Sequence, residues 1–188
     1  RDITAEVVDA FRQQGIAIRL YFSPDDFYFL HGKRRPVHRG VLPEECEGLL
    51  AYNQAQLREL LTQYGKIDIL FFDGHSDGLR ELCWEIDPEI VVTRGAIPTP
   101  EQHIPGIQSA KAWEACVTMG TGWQYKPTNE QYKTGTQLIE LLIETRAKGG
   151  NLLLNVGPKP NGELPIEQEA LLREIALWNF VNGESIHG

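Results

Sequence analysis

Hydrophobic residues along the chain recur at two spacings, one helical and one strand-like. Residues 2–14 carry Ile3, Val7, Val8 and Phe11 at helical intervals and run into Gly15, a natural stop. Residues 16–22, IAIRLYF, form a β-prone run that breaks at Ser23-Pro24-Asp25-Asp26. The spacing predicts a long loop over 27–43 and a helix over 43–63, with Leu49, Leu50, Leu57, Leu60 and Leu61 as its apolar stripe. The next apolar run, Ile67-Asp68-Ile69-Leu70-Phe71-Phe72, ends abruptly in Asp73-Gly74. It reads as a strand buried on both faces.

The pattern then repeats. A short helix over 79–85 leads to a strand over 89–94 that finishes in Arg94, and a Pro- and Gly-rich stretch fills 95–112. A β-prone stretch at 113–118 precedes a glycine-broken loop with Trp123 and Tyr125. A helix over 134–148, a buried strand over 151–156 and a last helix from 165 to about 182 complete the pattern. Helices alternating with core strands imply a parallel sheet under covering helices. Ser23, Asp73, Arg94 and Asn155 follow or finish strands, with Glu101 nearby, and no GxGxxG follows any strand. Polar groups gathered at one end of the strands favour a (β/α)8-like TIM barrel over a doubly wound sheet. Five strands do not close eight, so the expectation is a single partial barrel domain over 1–188, incomplete at its N-terminus. An incomplete barrel exposes edges, which favours a homo-oligomer.

Composition narrows the function. With 18 basic against 26 acidic residues the net charge is −8, which disfavours nucleic acid as a partner. No apolar run approaches the roughly 20 residues that cross a bilayer, so no membrane partner is expected. A chain opening on Arg1 fits a processed chain or an internal fragment. Cys46, Cys83 and Cys116 are widely spaced and odd in number, which suits buried free thiols. The five histidines show no metal-ligand spacing, so a structural or catalytic metal is not indicated.

The chemistry centres on carboxylates. Asp73 at a strand tip is placed where α/β barrels put catalytic groups, although an Asp there also serves as a helix cap. Asp73 and Glu101 on one barrel face suit the nucleophile and general acid of a retaining glycosidase, about 5 Å apart. Arg94 either keeps one of them ionised or forms a structural ion pair. Trp113, Trp123 and Tyr125 suit stacking on sugar faces, with a core role as the alternative for Trp113. The basic stripe Lys33, Arg34, Arg35, His38 and Arg39 reads as a solvated face or a ligand clamp.

The blocks YGKIDILFFDG, VVTRG, TPEQHIPG, WEACVTMGTGWQY, AKGGNLLLNVGPKPNGELP and NGESIHG, in that order, resemble the α-L-fucosidases of glycoside hydrolase family 29. The opening RDITAEVVDAFRQQGIAIRLYFSPDDF resembles the same family, so the likeness runs over nearly the whole chain. The resemblance implies a retaining exo-hydrolase that removes terminal α-L-fucose from glycoconjugates through a covalent fucosyl-enzyme. By the same likeness Asp73 is the nucleophile, Glu101 the acid/base with Glu114 as second candidate, Arg94 part of the sugar site, and no metal or organic cofactor is expected. Phe71 stands where the family has a tryptophan, and Val92-Thr93 where it has Asn-Asp. The family's first barrel strands, with their His-His pair, would lie upstream of Arg1, and no C-terminal β-sandwich of the kind common in the family is expected. The resemblance favours an extracellular or periplasmic setting, with the cytoplasm also open. Two other readings stand beside it: a non-catalytic fucose-binding scaffold, and a glycosidase for another sugar.

Overall fold

The computed structural model describes residues 1–34 and 40–187. The chain forms two compact units, Arg1–Ile97 and Pro98–Gly188.

In the first unit, α1 (Ile3–Gln13) is N-capped by Asp2, whose side chain accepts from the Ala5 amide at 3.0 Å. Strands β1 (Arg19–Phe22), β2 (Ile69–Phe72) and β3 (Val91–Thr93) form a parallel sheet in that order, with Arg19 opposite Ile69 and Phe71 opposite Thr93. Side chains alternate across the sheet, so register divides its faces. Leu20, Phe22, Leu70, Phe72 and Val92 share one face. They pack with Val8, Leu57, Leu79, Leu82 and Cys83 into the main core, under α3 (Leu49–Gln63) and α4 (Arg80–Ile86). Arg19, Tyr21, Phe71 and Thr93 share the opposite face.

Two sequence expectations change here. The loop expected over 27–43 contains a helix, α2 (Phe27–Gly32), because Asp26 accepts from the Phe29 amide at 2.7 Å and caps it. The basic stripe's Arg35, His38 and Arg39 lie outside the described residues. The helix expected from Pro43 is interrupted: a 3₁₀ turn spans Pro43–Glu45, Cys46 is extended, and Gly48 at φ 84° restarts the chain as α3. Finally, α1 buries only Val8 of its apolar stripe, and Ile3, Val7 and Phe11 stay exposed.

In the second unit, β4 (Glu114–Thr118) and β5 (Asn151–Asn155) run parallel with Glu114 opposite Asn151. Ala115 and Val117 face the core, where they meet Trp113, Leu141 and Leu152. Between the strands runs α5 (Gly135–Ala147), opened by a reciprocal box in which Thr134 and Gln137 each accept the other's amide hydrogen. Gly150 leaves room for the Trp113 indole, which a Cβ there would meet at 2.4 Å. Helix α6 (Ile166–His187) runs past the expected end through a non-helical Asn182. Its Leu177, Phe180 and Val181 are exposed. Among the described residues no helix is long and apolar enough to cross a membrane. Cys46, Cys83 and Cys116 are buried free thiols.

Candidate active site

Asp73 follows β2 directly. Its amide donates to the Phe22 carbonyl at 2.9 Å, so the ladder with β1 continues to this residue and fixes its direction. By alternation its side chain joins Tyr21 and Phe71 on the face turned away from the helices. Asp73 caps no helix, because α4 starts at Arg80 behind Leu79. Gly74 stands at φ 150°, with Pro24 Cδ 3.0 Å from where a Cβ would sit. Glycine therefore permits the turn that frees the carboxylate from the strand.

Tyr21 and Arg94 hold that carboxylate. The Tyr21 hydroxyl donates to Asp73 Oδ2, and Arg94 Nη2 lies 3.5 Å from Oδ1. The Asp73 side chain retains 15 % of its surface exposed. Arg94 itself is in the left-handed region at φ 57°. A tight turn imposes this: the Arg94 amide donates to Ile97 at 2.9 Å, and the Ile97 amide to Val92 at 3.1 Å. Such backbone costs a non-glycine residue about 1–3 kcal/mol and is characteristic of functional positions.

Phe71 forms the floor. Tyr21 stacks on its ring at 5.7 Å between centroids and 18° between planes. Arg19 and Arg94 place their guanidinium carbons 5.1 and 5.6 Å from the same ring. Arg19 also donates to the Thr93 hydroxyl at 2.7 Å. Tyr21 and Arg19 were not singled out in the sequence, and Thr93 only as a departure from the family's pattern. The signal was available in the every-second-residue alternation of β1, but only once its register on β2 is known.

In the second unit, Glu101 bridges Cys116 in parallel fashion. The Cys116 amide donates to the Pro100 carbonyl and the Gln102 amide to the Cys116 carbonyl, each at 2.9 Å. The segment read as a Pro-rich loop thus adds a short edge to β4, with Pro98 and Pro100 acting as acceptors only. Bridge partners share a face, so Glu101 lies on the face of Cys116 and Glu114 and away from the helix-packed core. Glu101 is exposed, whereas Glu114 is 6 % exposed. Gln102 (φ 58°) accepts from the Thr118 amide at 3.3 Å and supports this edge.

The aromatic candidates separate. Trp113 is buried against Ala115 and Val117, and its indole N–H donates to the Lys148 carbonyl at 3.1 Å. This is a packing position on the helix side of the sheet, opposite to the face of Glu114. Trp123 is partly exposed in the loop after β4. That loop is held by Glu130, which accepts from both the amide and the hydroxyl of Thr121 at 2.8 and 2.7 Å. These bonds keep the Glu130 carboxyl below its ordinary range. Among the described residues no group of three or more His, Cys, Asp or Glu is arranged to hold a metal.

The first unit is thus a parallel β/α sheet with a carboxylate at a strand tip, clasped by a tyrosine and an arginine. The chain belongs to the alpha-L-fucosidase family, whose profile matches residues 1–184. Plasma alpha-L-fucosidase of Rattus norvegicus is 28% identical over 100% of this chain and 46% of its own length. The chain therefore spans about half the length of that relative. Alpha-L-fucosidase isoenzyme 1 from Paenibacillus thiaminolyticus superposes with a TM-score of 0.82 at 31% identity, covering 100% of this chain and 54% of that one. The Thermotoga maritima alpha-fucosidase solved in complex with fucose gives 0.80 at 27% identity, covering 100% and 47%.

Proposed function

We propose that this chain supplies the nucleophile and the acid/base of a retaining α-L-fucosidase acting on fucosylated oligosaccharides or glycoconjugates. The observation that carries the reading is the Asp73 carboxylate, held at the end of β2 by Tyr21 and Arg94. Family membership supports fucose as the sugar. In the first half-reaction an Asp73 oxygen attacks the fucose anomeric carbon as the glycosidic C–O bond breaks. Glu101 gives its proton to the leaving oxygen. In the second, water attacks the same carbon, loses its proton to the Glu101 carboxylate and releases fucose and Asp73. Arg94 and Tyr21 keep Asp73 aimed. Phe71 shapes the floor below them, and Trp123 supplies an aromatic face for sugar. Glu114, nearly enclosed beside Cys116, is the second candidate for the acid/base role.

The two units are read as portions of one (β/α)8-type catalytic barrel. In each, one sheet face is covered by helices and the other carries the polar strand-tip groups. A homo-oligomer that covers open sheet edges is part of the same proposal.

The test is turnover of 4-nitrophenyl α-L-fucoside by the protein and by Asp73→Ala, with peptide mass mapping after 2-deoxy-2-fluoro-fucosyl fluoride. Loss of turnover in the variant and a fucosyl mass on the Asp73 peptide are expected. Turnover retained by Asp73→Ala, or the label on another residue, overturns the assignment. Fucose binding without any turnover by the protein would favour a non-catalytic role.

A further inference from the structure

The segment between β1 and α3 builds a feature that the hydrolytic site does not use. Residues 26–34 leave the sheet, and the buried Asp25 carboxylate ties the base of this excursion to Gly40 and Val41. It accepts from the amides of Gly40 and Val41 at 2.6 and 3.0 Å. Helix α3 pins the same base, because Asn53 donates to the Pro24 carbonyl at 2.8 Å and Gln56 to Asp26 at 3.4 Å. Pro24 also abuts Gly74, the residue after Asp73. The excursion therefore rises from the carboxylate end of the sheet. It has its own small core of Leu30, Val41, Cys46 and Leu49, with Phe29 packed against it.

On that support lies an open groove of about 490 Å³, lined by Tyr28, Phe29, His31, Gly32, Lys33 and Tyr52. Phe29 and Tyr52 stack at 4.7 Å and 30°, and Lys33 stands 5.4 Å above the Phe29 ring. Tyr28 is 86% exposed. Aromatic faces with an apolar body and polar edges match the alternating faces of a pyranose. The lining carries two basic side chains and no carboxylate, in a chain of net charge −8. It offers hydrogen-bond donors to a ligand rich in acceptors.

We infer that this groove is a glycan subsite that stacks a pyranose of the sugar chain to which the fucose is attached. Lys33 and His31 serve its hydroxyl oxygens. The inference rests on the fucosidase reading for the identity of the glycan. It implies that the chain distinguishes fucosylated oligosaccharides from simple aryl fucosides by contacts away from Asp73.

The test compares the protein with Tyr28→Ala and Tyr28→Phe on 4-nitrophenyl α-L-fucoside and on 2′- and 3-fucosyllactose, and titrates lactose as the defucosylated probe. Tyr28 is exposed, so folding is not at stake. Tyr28→Ala is expected to lower kcat/KM on a fucosyllactose, chiefly through KM, by roughly two- to tenfold, the scale of one aromatic contact. The aryl fucoside is unchanged, Tyr28→Phe behaves as the parent, and lactose binding weakens in parallel with the oligosaccharide. Equal effects on both substrates, or none on either fucosyllactose or lactose, overturn the subsite. Lactose binding that depends on Tyr28 in a protein without fucosidase turnover sustains the groove while the hydrolase reading fails. Turnover that depends on Asp73 but ignores Tyr28 does the reverse.

Discussion

Arg94 brings Nη2 to 3.5 Å from Asp73 Oδ1 while its own backbone stands at φ 57°. A strained backbone is retained where the side chain it presents is needed, so the two properties separate by substitution. Arg94→Gly relieves the strain and removes the charge, whereas Arg94→Ala removes the charge alone. The expected result is an Arg94→Gly protein more stable than Arg94→Ala by about 1 kcal/mol, with both losing roughly ten- to a hundredfold in kcat/KM on an aryl fucoside. Arg94→Lys recovers only part of it, because an ammonium does not reproduce the planar guanidinium over Phe71. Thermal melts beside turnover rates read both quantities. Normal activity in Arg94→Gly would sink the assignment of Arg94 to the site.

Tyr21 separates packing from hydrogen bonding in the same way. Its ring stacks on Phe71 and its hydroxyl reaches Asp73. Tyr21→Phe keeps the ring and deletes the donor to a charged acceptor. Turnover is expected to fall about tenfold or more while the melting temperature barely moves. A Tyr21→Phe protein that melts early but turns over normally would make this tyrosine a packing residue only.

Much of this arrangement was legible in the chain because it follows from period and punctuation. The apolar run ending in Asp73-Gly74 announced a core strand with a carboxylate at its tip, and the five strand-like runs are those found. What was not legible depends on tertiary detail. Asp26 initiates α2 inside an apparent loop through one side chain–amide bond. Cys46 and Gly48 break a helix whose leucine spacing runs on without interruption. Trp113 could be read either way until register placed it on the helix-packed face with Ala115 and Val117. Tyr21 and Arg19 emerge as Asp73's neighbours only once β1 is paired residue by residue with β2.

Glu101 and Glu114 divide by exposure, and leaving-group dependence tells them apart. A lost general acid harms substrates with basic leaving groups far more than those with acidic ones. Glu101→Ala is expected to lower turnover of a fucosyl oligosaccharide by about 10²–10⁴-fold and of a dinitrophenyl fucoside much less. Added azide then restores the second step and yields fucosyl azide. If Glu114→Gln shows this signature and Glu101→Ala does not, the proton donor is Glu114.

Cys83 makes a prediction about stability alone. It is fully enclosed in the core of the first unit, and burial pushes its thiol from 9.0 up to about 12. The unfolded chain loses this proton near its ordinary value while the folded chain keeps it, so the folded state binds more protons between those two values. Cys83 therefore contributes stability that is complete below about pH 9 and is lost as pH rises towards 12. Denaturant unfolding followed from pH 8 upward is expected to show a declining free energy, and Cys83→Ala, less stable at neutral pH for its missing sulfur, a flatter decline. The same enclosure keeps the native thiol unreactive toward Ellman's reagent until the protein unfolds. Parallel slopes in the two proteins, or rapid native labelling at Cys83, would show that this thiol is not shielded as the packing around Leu79 and Leu82 requires.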